Sequence, residues 1–164
     1  MTELQNNLWQ KIDQFEIDES TSSFTFTDRL VRENKWSYEF AVRAIFEYKR
    51  FLFLICNSKS SQTPSDEVDQ VWHLHLLYTQ SYWIDLCKNT LDKSIHHGPT
   101  KGQEEQSNFK AAYQNTLTLY ETVFKDVPPK DIWPSPNNRF KYINFTRVNT
   151  HKNWVIPKIK LFKI

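Results

Sequence analysis

Four of the chain's five histidines fall within VDQVWHLHLLYTQSYWIDLCKNTLDKSIHHGPT, residues 68–100. On a helix, where successive residues turn by about 100°, Asp69 and His73 are four apart and share a face. His73 and His75 are two apart and point to nearly opposite sides. One straight helix can therefore offer a given site only one of this pair, unlike H-E-x-x-H, whose histidines converge. The His96-His97 pair lies one helix and a turn later, where an antiparallel return brings imidazoles back to the first helix. Two histidines and a carboxylate suit zinc or ferrous iron, with positions left for water or substrate. The expected ligands, in decreasing order, are His73, His97, His96, Asp69 and His75. In a catalytic version the ion activates water or dioxygen, with Asp69 or an unliganded histidine as proton carrier. Alternatively, Asp69 accepts a hydrogen bond from one His73 nitrogen and so fixes the tautomer that presents the other.

Each of these residues also has a structural reading. His73 and Asp69 form an ordinary i, i+4 pair, His75 bonds a neighbouring element, His96 satisfies a backbone carbonyl, and His97 caps the preceding helix. Buried imidazoles need partners, so such a network would pin a loop to a helix without any ion. Cys87 reads as a packed thiol rather than a ligand. Two function classes stay open. One is a metal-binding domain, with or without enzymatic activity on an unnamed small molecule. The other is a non-enzymatic module whose aromatic surface or basic C-terminal arm, with Lys152, Lys158, Lys160 and Lys163, docks an unknown partner protein.

The elements that must position these residues read as helices. Residues 3–15 place Leu4, Leu8, Ile12 and Phe15 at helical spacing. Thr27 is expected to cap a short helix whose first turn holds Asp28, and Ser37 to cap a long one. In that long helix Phe40, Ala41, Ala44, Ile45, Tyr48, Phe51, Leu52 and Ile55 form a broad apolar face, while Arg43, Glu47 and Arg50 face away. Thr63 as N-cap, Pro64 and Asp66 announce the helix carrying Asp69 to His75, and Thr79 or Ser81 opens another. Residues 103–125 form a further helix with Phe109, Tyr113, Thr116, Tyr120 and Phe124 on one face. Five prolines between 128 and 157 exclude regular helix there. The expectation is an all-α fold: a compact bundle of about five or six helices with an extended, proline-containing C-terminal arm. Residues 1–126 form the helical domain, and 127–164 an irregular arm packed on it.

Composition narrows the classes. Gly98 and Gly102 are the only glycines, too few for a protein of tight hairpins or a glycine-rich phosphate loop. A net charge of +2 is too mild to imply nucleic acid. Two cysteines, Cys56 and Cys87, do not make a disulfide framework. No apolar run reaches membrane-span length. A cytoplasmic protein is expected.

The segment D-x-x-W-H-x-H (Asp69, Trp72, His73, His75), the following Tyr82-Trp83 and the IHHGPT stretch resemble the glycine-rich domain-containing protein family, including its short bacterial members. NKWSYEFAVRAIFEYKRFLFL before it and PPKDIWPSPNNRF after it extend the resemblance over residues 27–140. The resemblance implies a compact helical domain and no established reaction, and the glycine-rich tail of larger members has no counterpart here. It adds weight to a site involving His73 and His75. With the helical geometry, that means different jobs: His73 faces the site, while His75 locks the neighbouring element.

Overall fold

The computed structural model describes residues 1–19, 21–98, 106–142, 144–146 and 148–156. The order is α1 (Glu3–Asp13), α2 (Phe26–Asn34), α3 (Tyr38–Asn57), α4 (Asp66–Leu77), a π-helix (Gln80–Thr90), α5 (Gln106–Phe124) and the single turn α6 (Pro136–Arg139). Among the described residues there are thus seven helices and no strand. The turn α6 arises because Pro136 takes the first helical position, where its missing N–H costs nothing. Residues 140–142, 144–146 and 148–156 carry no regular element, and the expected arm's last residues, 157–164, lie outside the described ones.

The fold is organised around α3, which packs against α1, α2, α4 and α5. Ser37 caps it as expected, its Oγ accepting from the Phe40 amide at 3.2 Å. Its apolar stripe is wider than the sequence suggests. Phe53 and Leu54 are buried along with the expected Ala41, Ala44, Tyr48, Phe51 and Leu52. Glu47, expected to face away, is buried too: its Oε2 accepts from Trp133 Nε1 at 2.8 Å and its Oε1 from the Tyr120 hydroxyl at 3.2 Å. The segment around Trp133 covers that side of the helix, so a polar residue there is kept by its partners rather than by water. In α1 the reverse holds. Ile12 is buried but Leu4 is exposed, and Trp9 does the packing, edge-on to Phe46, Phe53 and Phe124.

Two helix starts differ from expectation. Thr25, not Thr27, caps α2 through a reciprocal capping box with Asp28. Thr27 instead bonds the Asp18 carboxylate through both its amide and its hydroxyl. Ser65, not Thr63, caps α4 by accepting from the Val68 amide; Thr63 donates its amide to Thr116 Oγ1 on α5. Both regions hold several Ser, Thr and Asp residues, and tertiary contacts select among them.

Beyond α4 the helix widens. Leu91 N–H reaches Leu86 C=O at 2.9 Å, the five-residue step of a π-helix, and Asp92 at φ 49° turns the chain out of it. Asp tolerates this left-handed conformation better than most residues, which lets a turn form without glycine. Tyr82, fully buried on the π-helix, closes the arrangement. Its hydroxyl accepts from Trp72 Nε1 of α4 at 2.8 Å and donates to Ile95 C=O at 2.6 Å. Residues 91–98 are thereby fastened back onto α4.

His75 points into the core, where it is fully buried between Phe15, Phe26, Tyr48 and Tyr82. Its Nδ1 pairs with the Tyr48 hydroxyl at 3.1 Å and its Nε2 with Ser81 Oγ at 3.0 Å. In the neutral ring one nitrogen donates and the other accepts, so both bonds can form. Burial lowers its pKa to about 4.

Tyr82→Phe leaves the Trp72 N–H and the Ile95 carbonyl without partners and should cost about 1–3 kcal/mol in urea denaturation. Trp72→Phe combined with Tyr82→Phe should cost less than the two single changes summed, because the bond is shared. His75 stays neutral in the fold down to about pH 4 but takes a proton in the unfolded chain from its ordinary value of 6.5. Its contribution is complete above 6.5 and declines as pH falls toward 4, by about 3 kcal/mol in all. Glu47 and Glu67, raised by burial, slope oppositely, so the comparison with His75→Gln isolates the effect. Wild type should lose more stability than the variant between neutral pH and pH 4.

Candidate metal centre

Asp69 and His73 stand one helical turn apart on α4, and His97 comes from the connection that Tyr82 holds down. One ligand atom from each of the three lies within 4.8 Å of the others, and this is the one such cluster of His, Cys, Asp or Glu among the described residues. His97 Nε2–H donates to Asp69 Oδ1 at 2.8 Å. His73 Nε2 is 3.7 Å from Asp69 Oδ2, too long for a hydrogen bond. The two imidazole centroids are 4.5 Å apart. The His97 ring also meets the Trp72 indole edge-on at 4.5 Å, so its position is fixed by an aromatic wall on one side and a carboxylate on the other. Exposure grades across the trio: Asp69 is 19% exposed, His97 21% and His73 49%. The site is anchored inside and opens at His73.

The other two candidate ligands lie elsewhere. His75 faces the opposite side of α4, as its two-residue offset from His73 requires, and both its nitrogens are engaged in the core. His96 is exposed and rests against Trp83, with centroids 5.4 Å apart. Adjacent residues in the extended connection point to different sides, so only one of the pair reaches Asp69. Cys87 is a buried free thiol, as expected, and burial pushes its pKa up.

Beside the trio is a cleft of about 350 Å³ lined by Asp66, Asp69, Gln70, His73 and residues 139–142, 144 and 145. Its far wall was not legible in the sequence. Arg139 Nη1 pairs with Asp66 Oδ1 at 2.5 Å and its Nε donates to Pro64 C=O at 3.3 Å. Asn144 Nδ2 donates to Asp66 Oδ2 at 2.7 Å. These bonds lay the segment after α6 across the start of α4. Arg139 and Asp66 are 73 positions apart with no periodic signal linking them. Neighbouring Glu67 has one carboxylate oxygen buried without a partner, and burial pushes its pKa up to about 7.

The arrangement can bind a cation between two imidazole nitrogens and a carboxylate, or it can hold the 91–98 connection to α4 by hydrogen bonding. No helix among the described residues is long and apolar enough to cross a membrane.

The chain is 28% identical over 91 residues to glycine-rich domain-containing protein 2 of Arabidopsis thaliana, a stretch covering 52% of this chain and 11% of the relative. The chain thus matches only a small part of that curated protein. No solved structure matches it. The family described as UCP032817-like matches residues 12–122, from the end of α1 through most of α5, and so spans Asp69, His73, Tyr82 and His97. The chain belongs to the UCP032817-like family, which carries its relationship to the glycine-rich domain-containing proteins.

Proposed function

We propose that this helical domain binds one divalent metal ion, zinc or ferrous iron, through Asp69 Oδ, His73 Nε2 and His97 Nε2. The observation that carries the reading is the convergence of one ligand atom from each of these three residues, from two separate elements, within 4.8 Å. Coordination at His97 Nε2 would displace the hydrogen now donated to Asp69, which the neutral ring carries on Nδ1 instead, and the carboxylate would change from acceptor to ligand. Two imidazoles and one carboxylate leave coordination positions for water or a small molecule on the open His73 side. If the centre is catalytic, bound water is activated there and Asp69 is the candidate proton carrier.

A second reading is favoured by the 2.8 Å bond between His97 and Asp69. That contact already satisfies a half-buried imidazole and a half-buried carboxylate, as a structural network would. The domain would then be a non-enzymatic interaction module.

Elemental analysis of the purified protein separates the two. The metal reading expects about one zinc or iron per chain and a melting temperature lowered by chelator. His73→Ala, at an exposed position, and His97→Ala should each weaken binding by about 100-fold or more, while His96→Ala should retain the ion. Metal-free protein whose melting ignores both chelator and added zinc would leave the network reading.

A further inference from the structure

We propose that the cleft beside Asp69 and His73 takes a small carboxylate with an apolar body, the carboxylate bridging the metal and Lys141; this rests on the metal reading above. The lining divides into two parts. Phe140, Tyr142 and Phe145 form the apolar part, and the polar part holds Asp66, Asp69, Gln70, His73, Arg139, Lys141 and Asn144, whose amide is tied to Asp66. The charges in the polar part are not equally available. Arg139 is tied to Asp66 and the Pro64 carbonyl and lies 5.0 Å over the Phe140 ring. Lys141 is exposed, has no acidic partner among the described residues, and holds its ammonium 5.2 Å from the Tyr142 ring centroid. Its flexible stem leaves that charge able to reach a ligand.

The electrostatics make the ligand's sign depend on the metal. Asp66 and Asp69 balance Arg139 and Lys141, so the lining by itself favours neither sign. A divalent ion on the trio makes the cleft positive, and an anion then gains from both the ion and Lys141. Carboxylates match hard or borderline cations through oxygen, and the aromatic residues of the lining can cover an apolar body. The volume of about 350 Å³ lies near the small end of ligand sites, roughly 300–1,000 Å³, which restricts the body to a single ring or a short chain.

The test uses the full chain loaded with Co2+, whose visible absorption reports its ligands, titrated with benzoate and with its neutral isostere benzamide. Benzoate should change the cobalt spectrum saturably, and benzamide should not. Lys141→Gln, at an exposed position, should weaken benzoate about threefold without altering cobalt affinity, and the metal-free protein should not bind benzoate. Cobalt uptake with no saturable benzoate response, an equal response to benzamide, or unchanged affinity in Lys141→Gln overturns the carboxylate site and leaves the metal reading standing. Failure to take up cobalt removes the metal centre and this ligand together.

Discussion

The site depends on one buried relay: Trp72 Nε1–H to the Tyr82 hydroxyl, and that hydroxyl to the Ile95 carbonyl. Asp69 and His73 need only a helix to stand together, but His97 is 24 residues beyond His73 and arrives only if the chain doubles back. The turn is made without glycine, by a π-helix and a left-handed Asp92. A π-helix leaves backbone geometry less favourable than an α-helix and is seen mostly where function or packing compensates. Here the wider turn carries Tyr82 into the core, where it bonds both to the helix before it and to the connection after it. A phenol can do this because its oxygen donates once and still accepts. Two residues after Ile95, His97 is held by Trp72 on one side and Asp69 on the other, so the indole serves twice, by its N–H and by its ring.

The W-H-x-H run on α4 assigns inward and outward work to neighbouring residues. Trp72 lies at the boundary, 5% exposed, His73 opens to the cleft, and His75 is sealed among aromatic rings. The division follows from the 100° step of the helix, and it explains how two histidines in three residues differ so much. One remains accessible. The other is kept neutral by burial and bonded through both nitrogens, tying α4 to Tyr48 of α3 and to Ser81 of the π-helix. The bundle's rigidity at the site is thus built partly from the same motif that supplies the site.

What could be read from residue order was local. The Asp69–His73 spacing, the opposition of His73 and His75, the Ser37 cap and the faces of α5 all follow from helical periodicity. The features that could not be read involve choices made by tertiary contacts. Thr25 and Ser65 outcompete nearby Thr27 and Thr63 as caps because Asp18 and Thr116 claim the latter. Glu47 is buried because Trp133 and Tyr120 come to it from more than 70 residues away. The π-helix has the composition of an ordinary amphipathic helix, and nothing in SYWIDLCKN marks the extra residue per turn. Which of His96 and His97 turns inward was also beyond periodicity, since the connection is not helical.

The charges of α4's first turn bear directly on what the trio is for. Asp66, Glu67 and Asp69 crowd one helix start, where the positive end of the helix dipole offsets only part of their repulsion. Asp66 is compensated by Arg139. Glu67, half-buried and raised to about 7 by burial, relieves the crowding by taking a proton over part of the neutral range. Asp69 has neither device. Its neighbours are two imidazoles, which carry no charge unless protonated, and it is too deep for water to screen it fully. A half-buried carboxylate so placed favours a positive charge beside it, which a metal ion between the two imidazoles would supply. The ion would use all three side chains at once, whereas the hydrogen-bonded network engages His97 and leaves His73 Nε2 3.7 Å from the carboxylate, without a hydrogen bond to it. That unspent imidazole, on the exposed side and aimed at the same carboxylate, is the feature a purely structural network does not require.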